Sequence, residues 1–301
     1  MPSRTERASD TGDAQTRLQT GLQFEQCGMW AIAHATYEGV RAQHPGTPLG
    51  VEAQIRIARV FRGQAQWTEA LAVAETAAAQ ASTLGEPDLW AEAVNVAVGV
   101  HLMRGEHGEA DRVAVAALAH AANPRIRGLL LHNRGSAAAQ QRDFDRATTL
   151  FADAVAEFQA AEYEIGMAFA LNSRSAAAHD AGRPTEALEL AQTAHQVALQ
   201  ARAYDQCILA VENQADPLVS LGRFDEAEAL ASQALGHFGA IDDQFRCVEC
   251  LEILGRIFAA RTDTPDRSVA GDCYRRGLEI ARQIGAGTLM TRMERRLQEV
   301  A

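Results

Sequence analysis

The sequence predicts an all-α protein, built as an α-solenoid of about seven antiparallel helix-turn-helix repeats with a C-terminal capping helix. Three observations predict this fold class. An alanine recurs about every 40 residues along the 301-residue chain, and apolar or small residues around that alanine follow helical spacing. The alanine-rich composition and the eight prolines argue against a β-rich protein, because strands favour branched and aromatic residues.

The recurring alanine marks the second helix of each repeat, helix B. Its successive spacings are 37, 40, 37, 40, 40 and 43 residues. Residues three and seven positions after it are mostly apolar or small, which places all three positions on one face of a helix. The alanines are Ala33, Ala70, Ala110, Ala147, Ala187, Ala227 and Ala270.

A second column of small residues marks helix A of each repeat, twelve positions before the alanine. Its members are Gly21, Ala58, Val98, Gly135, Ser175 and Ala215. Gly255 continues the column if residues 261–266 lengthen one turn, and the same insertion explains the spacing of 43. We interpret the small residues as contact points that let neighbouring helices approach closely. Repeat 3, with Val98 and His107 in these columns, fits the pattern least well.

The pattern divides the chain into three parts. We expect residues 1–13 to be disordered, residues 14–286 to form the seven repeats and residues 287–301 to form the capping helix. The last segment places Leu289, Met293, Leu297 and Val300 at helical spacing, as the open end of a solenoid requires. Pro217 falls inside a helix A, where it leaves the carbonyl of Asn213 without its backbone donor. The bend that follows is either absorbed by the curvature of the solenoid, or it opens the groove and exposes that carbonyl to a ligand.

The turn between the two helices of a repeat resembles that of the tetratricopeptide repeat (TPR) family. The family pattern of Gly-x-aromatic-x-x-Ala is matched by "GMWAIA" (28–33) and "GRFDEA" (222–227), and less fully by "RDFDRA" (142–147) and "GRPTEA" (182–187). The repeats are longer than the usual TPR period of about 34 residues, so each helix is expected to be extended by about a turn. The resemblance implies a solenoid whose A helices line a concave groove.

Charge and motifs exclude several classes of function. The formal net charge is −11 and all 28 basic residues are arginine, which disfavours nucleic acid as a partner. Without lysine there is no P-loop, and no zinc-protease, serine-hydrolase or dinucleotide-binding motif occurs, so we expect no enzyme and no cofactor. No apolar run approaches the 18 residues of a membrane helix, and the N-terminus carries no signal-peptide pattern, so a cytoplasmic location is expected.

The five cysteines do not predict a disulfide framework or a metal site. Cys247 and Cys250 form a Cys-x-x-Cys pair, but a zinc site needs a second pair or nearby histidines at suitable spacing. Both fall in columns that otherwise hold core residues. We therefore predict that they are buried as small hydrophobic side chains, and that Cys27 is partly exposed.

Candidate binding residues come from the groove-facing positions of the A helices. In the family, asparagine and basic residues at such positions commonly hold a peptide backbone or a carboxylate. The resemblance, with the polar columns beside the small residue, gives the candidate site residues Arg56, Arg59, Asn95, His132, Asn133, Asn172, Asn213 and Arg256. The alternative interpretation is that these side chains are ordinary solvated polar positions. The lysine-based clamp for acidic C-terminal tails is absent in its strict form.

These features predict a non-catalytic scaffold or adaptor that binds a peptide or a protein partner in the groove. The alternative is an intracellular peptide-sensing regulator that acts in trans on a transcription factor or a kinase. An RNA-binding helical repeat is a third reading, which the negative charge disfavours. Self-association is left open, because the ends of solenoids and their alanine-rich faces can stack.

Overall fold

The computed structural model describes residues 4–261 and 267–301, and it confirms an all-α solenoid. Odd-numbered helices α1 to α13 are the A helices of the repeats, and even-numbered helices α2 to α14 are the B helices. The A helices are α1 (Arg4–Gln26), α3 (Pro48–Gly63), α5 (Pro87–Met103), α7 (Pro124–Gln140), α9 (Glu164–Asp180), α11 (Tyr204–Ser220) and α13 (Gln244–Ala260). The B helices are α2 (Trp30–Gln43), α4 (Trp67–Leu84), α6 (His107–Leu118), α8 (Phe144–Ala160), α10 (Pro184–Gln200), α12 (Phe224–Ala240) and α14 (Arg267–Gln283), and α15 (Gly287–Val300) follows them.

The repeating alanine occupies the same place in every B helix. It is the fourth residue of each helix from α2 to α14, including the weakly patterned third repeat, and it is at most 1% exposed in all seven. The predicted repeat frame is therefore confirmed. A larger side chain at this position would separate helix B from the helices on which its first turn packs.

The glycine of the turn motif is explained by backbone geometry. One residue of each described turn from helix A to helix B has a positive φ, and it is glycine in four of them, as at Gly222 with φ 71°. Ala65 and Arg142 take this conformation in two other turns, with φ 58° and 63°. Left-handed geometry is nearly free for glycine and costs other residues about 1 kcal/mol, which favours glycine here without requiring it.

The chain forms two compact units, a first unit of residues 1–161 and a second unit of residues 162–301. Within each unit every helix packs against its neighbours in sequence, and each A helix also contacts the next A helix. Among the described residues of a unit, the B helices make no such contact with one another. The A helices therefore form the more closely packed layer, whose outer surface is called the A-helix face below.

The small residues of the A helices allow close approach of neighbouring helices, and some of them also make room for a large side chain of helix B. In three repeats the small residue is glycine, and it accommodates an aromatic ring from helix B: Tyr37 on Gly21, Phe151 on Gly135 and Tyr274 on Gly255. A Cβ atom at Gly135 would lie 2.7 Å from the ring of Phe151. In the other repeats the residue equivalent to the ring is alanine: Ala74, Ala114, Ala191 and Ala231. The two positions are complementary in size.

The ends of the chain and two irregular segments complete the fold. Helix α1 begins at Arg4, so most of the segment 1–13, for which the sequence predicts disorder, is helical; no proline interrupts residues 4–13. The predicted lengthened turn lies largely outside the described residues, which omit 262–266. Pro217 is buried near the end of α11, and the helix continues through it to Ser220.

The C-terminal helix α15 closes the second unit. Leu289 and Met293 are buried in a cluster with residues of α14, as the capping-helix prediction requires. On its other side α15 supplies Arg292 and Arg296, which both bind the carboxylate of Glu252 in α13. The helix therefore covers apolar surface and also fixes a charge on the neighbouring A helix.

Candidate functional site

In the first unit, two predicted asparagines hold each other across neighbouring A helices. The Asn133 side chain in α7 donates a hydrogen bond of 2.9 Å to the Asn95 side chain in α5. Asn95 is buried, whereas Asn133 is partly exposed. Part of the hydrogen-bonding capacity that the sequence analysis assigns to a partner is thus used to join two helices.

The two predicted arginines of α3 are also engaged by the protein. Arg56 donates to Glu52 at 2.8 Å, and an Arg59 nitrogen lies 3.5 Å from the Glu25 carboxylate. Glu25 in addition accepts a 3.1 Å hydrogen bond from the Tyr37 hydroxyl. Burial, followed by the charge of Glu25, raises the pKa of Tyr37 to about 12, so the hydroxyl remains a donor.

His132 does not lie on the accessible surface that the sequence predicts for it. It is 5% exposed, and its ring lies 5.1 Å from the ring of Phe151 in α8. Burial lowers its pKa to about 4, so the imidazole is neutral at pH 7. The physical reason is its position one residue before Asn133, which turns the side chain towards helix B.

In the second unit, Asn172 is also removed from the accessible surface. It is fully buried in α9 and donates to the backbone carbonyl of Gln206 at 3.0 Å. Asn213 in α11 donates in turn to the backbone carbonyl of Asn172 at 3.0 Å and remains partly exposed. The pair therefore joins α9 to α11, because a buried amide must find partners within the protein.

Arg256, the remaining predicted residue, is held by two carboxylates of the preceding A helix. It binds Glu212 at 2.9 Å and also Asp216. Burial by itself lowers the pKa of the guanidinium, but the charges of Asp216 and Glu212 outweigh it, and the pKa is raised. Arg256 is therefore a fixed charge at the A-helix face rather than a free one.

A cavity of about 250 Å³ opens beside these groups on the second unit, between α11, α13 and α15. Apolar and charged side chains share its wall. The lining residues are Asp205, Ile208, Leu209, Glu212, Phe245, Arg246, Glu249, Glu252, Ile253 and Arg292. None of these residues is among the candidate residues of the sequence analysis, and the sequence gives no signal for Phe245.

The charges of this cavity differ in how well they are satisfied. Glu252 is 6% exposed and accepts bonds from Arg292 and Arg296, and Arg246 binds Asp205 and Asp243. Glu249 has no hydrogen bond or ion pair among the described residues, and burial raises its pKa. Its carboxylate is therefore free to accept a bond from a bound molecule.

Phe245 gives the cavity an exposed apolar edge. The side chain is 46% exposed in the first turn of α13. Large aromatic side chains normally bury most of their surface, and partly exposed ones beside a cavity are frequent anchors of protein interfaces. The cavity therefore combines an aromatic edge, aliphatic walls and one unsatisfied carboxylate.

The cysteines behave as predicted. Cys247 and Cys250 are buried and Cys27 is exposed. Burial raises the pKa of Cys250 to about 12, so its thiol is neutral. In the described part of the chain, no group of three histidine, cysteine or acidic side chains is arranged to hold a metal ion. The described helices include none that could span a lipid bilayer.

Comparison with known proteins identifies relatives by fold only. No family model matches the sequence, and no curated protein matches it. Among solved structures, a Signal Transduction ATPase with Numerous Domains (STAND) protein with a tetratricopeptide repeat sensor, from Pyrococcus horikoshii, is similar with a TM-score of 0.67 and 12% identity. The match covers 94% of this chain but only 44% of that protein.

Two further similar structures contain a bound partner. A Rap protein complexed with Competence and Sporulation Factor has a TM-score of 0.60 and 14% identity, over 90% of this chain and 79% of that one. NprR in complex with its cognate peptide NprX has a TM-score of 0.51 and 11% identity, over 84% and 76%. At such identities the likeness shows the fold: this chain has the solenoid fold of tetratricopeptide repeat proteins, as the sequence resemblance implies.

Proposed function

We propose that this TPR-like solenoid is a non-catalytic binding protein that holds a peptide segment or a protein surface on the A-helix face of its second unit. The observation that carries the proposal is the cavity between α11, α13 and α15. Exposed Phe245 lies at its edge, and its wall contains Glu249, which is unpaired as far as the structure describes the chain. A partner would cover the aromatic ring and donate a hydrogen bond to the carboxylate. Both changes would favour binding.

Binding rather than catalysis is favoured by the state of the surrounding groups. Arg246, Arg256 and Arg292 are held in ion pairs, and burial raises the pKa of the thiols of Cys247 and Cys250. Fixed charges orient a partner well, whereas nucleophilic catalysis needs an activated group that can attack a substrate. Arg256 borders the site in this proposal, because it binds Glu212 of the cavity wall, and the hydrogen bonds of Asn172 and Asn213 join α9 to α11.

The similarity to peptide-bound NprR and to the Rap complex supports a polypeptide as the ligand. It also favours the second candidate function, a peptide-sensing regulator that acts on a separate protein. The two candidates differ in what a bound peptide does. In a regulator it changes the conformation of the solenoid, which is measurable as a change in hydrodynamic radius, whereas in an adaptor that radius stays constant.

The test is a selection of random peptides on the immobilised full-length protein, followed by affinity measurements with fluorescent copies of the enriched peptides. We expect Phe245→Ala to weaken binding about tenfold or more, because a partly exposed aromatic anchor contributes about 1–3 kcal/mol. Glu249→Gln should weaken binding of those peptides that carry a basic group.

Leu199→Ala is the matched control. Leu199 lies in the B helix α10 and is 53% exposed, so the substitution removes a comparable apolar side chain from a different surface. The Leu199→Ala variant should bind the enriched peptides as tightly as the wild type does. Enriched peptides that bind Phe245→Ala as tightly as the wild type, or a selection that enriches none, would contradict the proposal.

A further inference from the structure

Arg62, in the last turn of α3, lies on the A-helix face of the first unit. Its guanidinium covers Gly99 of the neighbouring helix α5, with Nη1 2.6 Å from the position that a Cβ atom of residue 99 would occupy. Only a glycine leaves room for the side chain in this position. Arg62 is therefore packed between two A helices, with part of its surface still open to solvent.

The described part of the chain supplies no hydrogen-bond or ion-pair partner for this guanidinium. The two preceding arginines of α3 are paired, Arg56 with Glu52 and Arg59 with Glu25, but Arg62 has no hydrogen bond or ion pair among the described residues. The carbonyls at the end of α3 are occupied as well. Those of Val60, Phe61 and Arg62 itself accept bonds from the backbone N–H groups of the turn that follows.

The electrostatic surroundings make the missing partner costly. Burial, and then repulsion by Arg59, lower the pKa of Arg62 to about 10, and the attraction of Glu25 compensates only in part. A guanidinium partly withdrawn from water without an acceptor in the protein loses part of its hydration and gains no bond in return. Groups in this condition are frequent at binding sites, where a ligand supplies the missing interaction.

We propose that Arg62, assisted by Arg59, binds a carboxylate of a polypeptide partner above Gly99 on the A-helix face of the first unit. The planar guanidinium matches the two oxygens of a carboxylate in a bidentate bond. Arg59, Arg62 and Glu25 together carry one net positive charge, which suits a singly charged carboxylate better than a doubly charged phosphate. The site belongs to the first unit, so it stands even if the cavity around Phe245 binds nothing.

The test follows the arginine side chains by NMR in the full-length protein with isotope-labelled arginine. Sodium acetate is titrated at constant ionic strength against sodium chloride, and the Nε–H signal of Arg62 is identified by its loss in Arg62→Gln. We expect acetate to shift the signals of Arg62 and Arg59 until they saturate. In Arg62→Gln the remaining shift at Arg59 should require about tenfold more acetate, as the charged bidentate bond is lost.

A second variant keeps the charge of Arg62 and changes the position of its guanidinium. In Gly99→Ala the new Cβ would displace the flexible end of Arg62, so the helix is retained while the acetate affinity falls. Arg112→Gln is the control, because Arg112 is an exposed arginine of α6 paired with Glu109, and its acetate titration should match the wild type. Unchanged affinity in both Arg62→Gln and Gly99→Ala would overturn the proposal.

Two peptides and inorganic phosphate test which kind of anionic group the site binds. An acetylated tri-alanine with a free C-terminus and an amidated tripeptide with a central aspartate present the carboxylate from the chain end and from a side chain. Saturation by either peptide supports the proposal and identifies the source. Saturation by inorganic phosphate but not by acetate, or no saturable shift with any of these probes, would show that the carboxylate assignment is wrong.

Discussion

At the scale of single residues, the burial of a polar side chain on an A helix determines which groups it can contact. His132 and Asn133 are adjacent in α7, yet His132 packs against Phe151 while Asn133 stays partly exposed and bonds Asn95. Successive residues of a helix are about 100° apart, so neighbours in sequence face different surroundings. One residue of the pair therefore belongs to the core and the other to the A-helix face.

We predict that His132 makes the stability of the protein depend on pH below neutrality. Its pKa is about 4 in the folded protein and near the ordinary 6.5 in the unfolded chain. Well above pH 6.5 the ring is neutral in both states and contributes nothing to the pH dependence of stability. As the pH falls from 6.5 towards 4, the unfolded chain takes up a proton that the folded protein does not, so stability decreases, by about 2 kcal/mol between pH 7 and pH 5.

Chemical denaturation of the wild type and of His132→Gln at several pH values measures this effect. The variant should lose less stability than the wild type over the same interval. His237→Gln, which changes an exposed histidine of α12, should follow the wild type. Parallel curves for His132→Gln and the wild type would contradict the prediction.

At the scale of helices, size complementarity determines how helix A meets helix B. A glycine in helix A is matched by an aromatic ring in helix B at Gly21, Gly135 and Gly255. Where helix A has alanine, serine or valine instead of glycine, helix B has alanine. A ring in helix B requires the glycine opposite it, whereas alanine in helix B leaves room for a side chain in helix A. Close packing is therefore kept by two different combinations of side chains along one solenoid.

We predict that the effect of Gly135→Ala depends on Phe151. In the wild type the new Cβ would meet the ring at 2.7 Å, so the substitution should lower the free energy of unfolding by about 1–2 kcal/mol. In a Phe151→Ala background the ring is gone and the higher helix propensity of alanine remains, so the same substitution should stabilise by up to about 1 kcal/mol.

A double-mutant cycle measured by denaturation tests this coupling. Gly236→Ala in α12 is the control, because a Cβ there meets nothing within 4 Å and should be neutral or stabilising in either background. Additive effects of Gly135→Ala and Phe151→Ala would mean that the two positions are not complementary.

At the scale of the whole molecule, the fold consists of two units that each bury their own apolar residues. The clusters around Tyr37, Val51 and Leu130 lie within the first unit, and those around Phe238 and Tyr274 lie within the second. Contacts between helices close in sequence dominate both units, as is typical of repeat proteins.

We predict that fragments 1–161 and 162–301 each fold on their own. Far-ultraviolet circular dichroism should show helical spectra and cooperative thermal unfolding for both, because each keeps its own clusters. Fragment 1–143 is the control: it lacks α8, so Phe151 and Phe158 no longer cover Gly135 and Gly128, and its unfolding should be less cooperative or shifted to lower temperature. An unfolded 162–301 fragment would contradict the prediction.

The sequence by itself determined the helices, the repeat frame and the buried alanine of every B helix, because helical spacing and side-chain size are local properties that recur in each repeat. It also indicated which face of the A helices carries polar residues. Only the tertiary structure decided which of those residues are accessible: Asn172 and His132 are buried, and Arg62 lacks a partner among the residues that the structure describes. The asparagine hydrogen bonds between neighbouring A helices join residues 34 to 41 positions apart, as Asn172 joins Gln206. Both the distance and the burial of such a pair depend on how neighbouring helices pack.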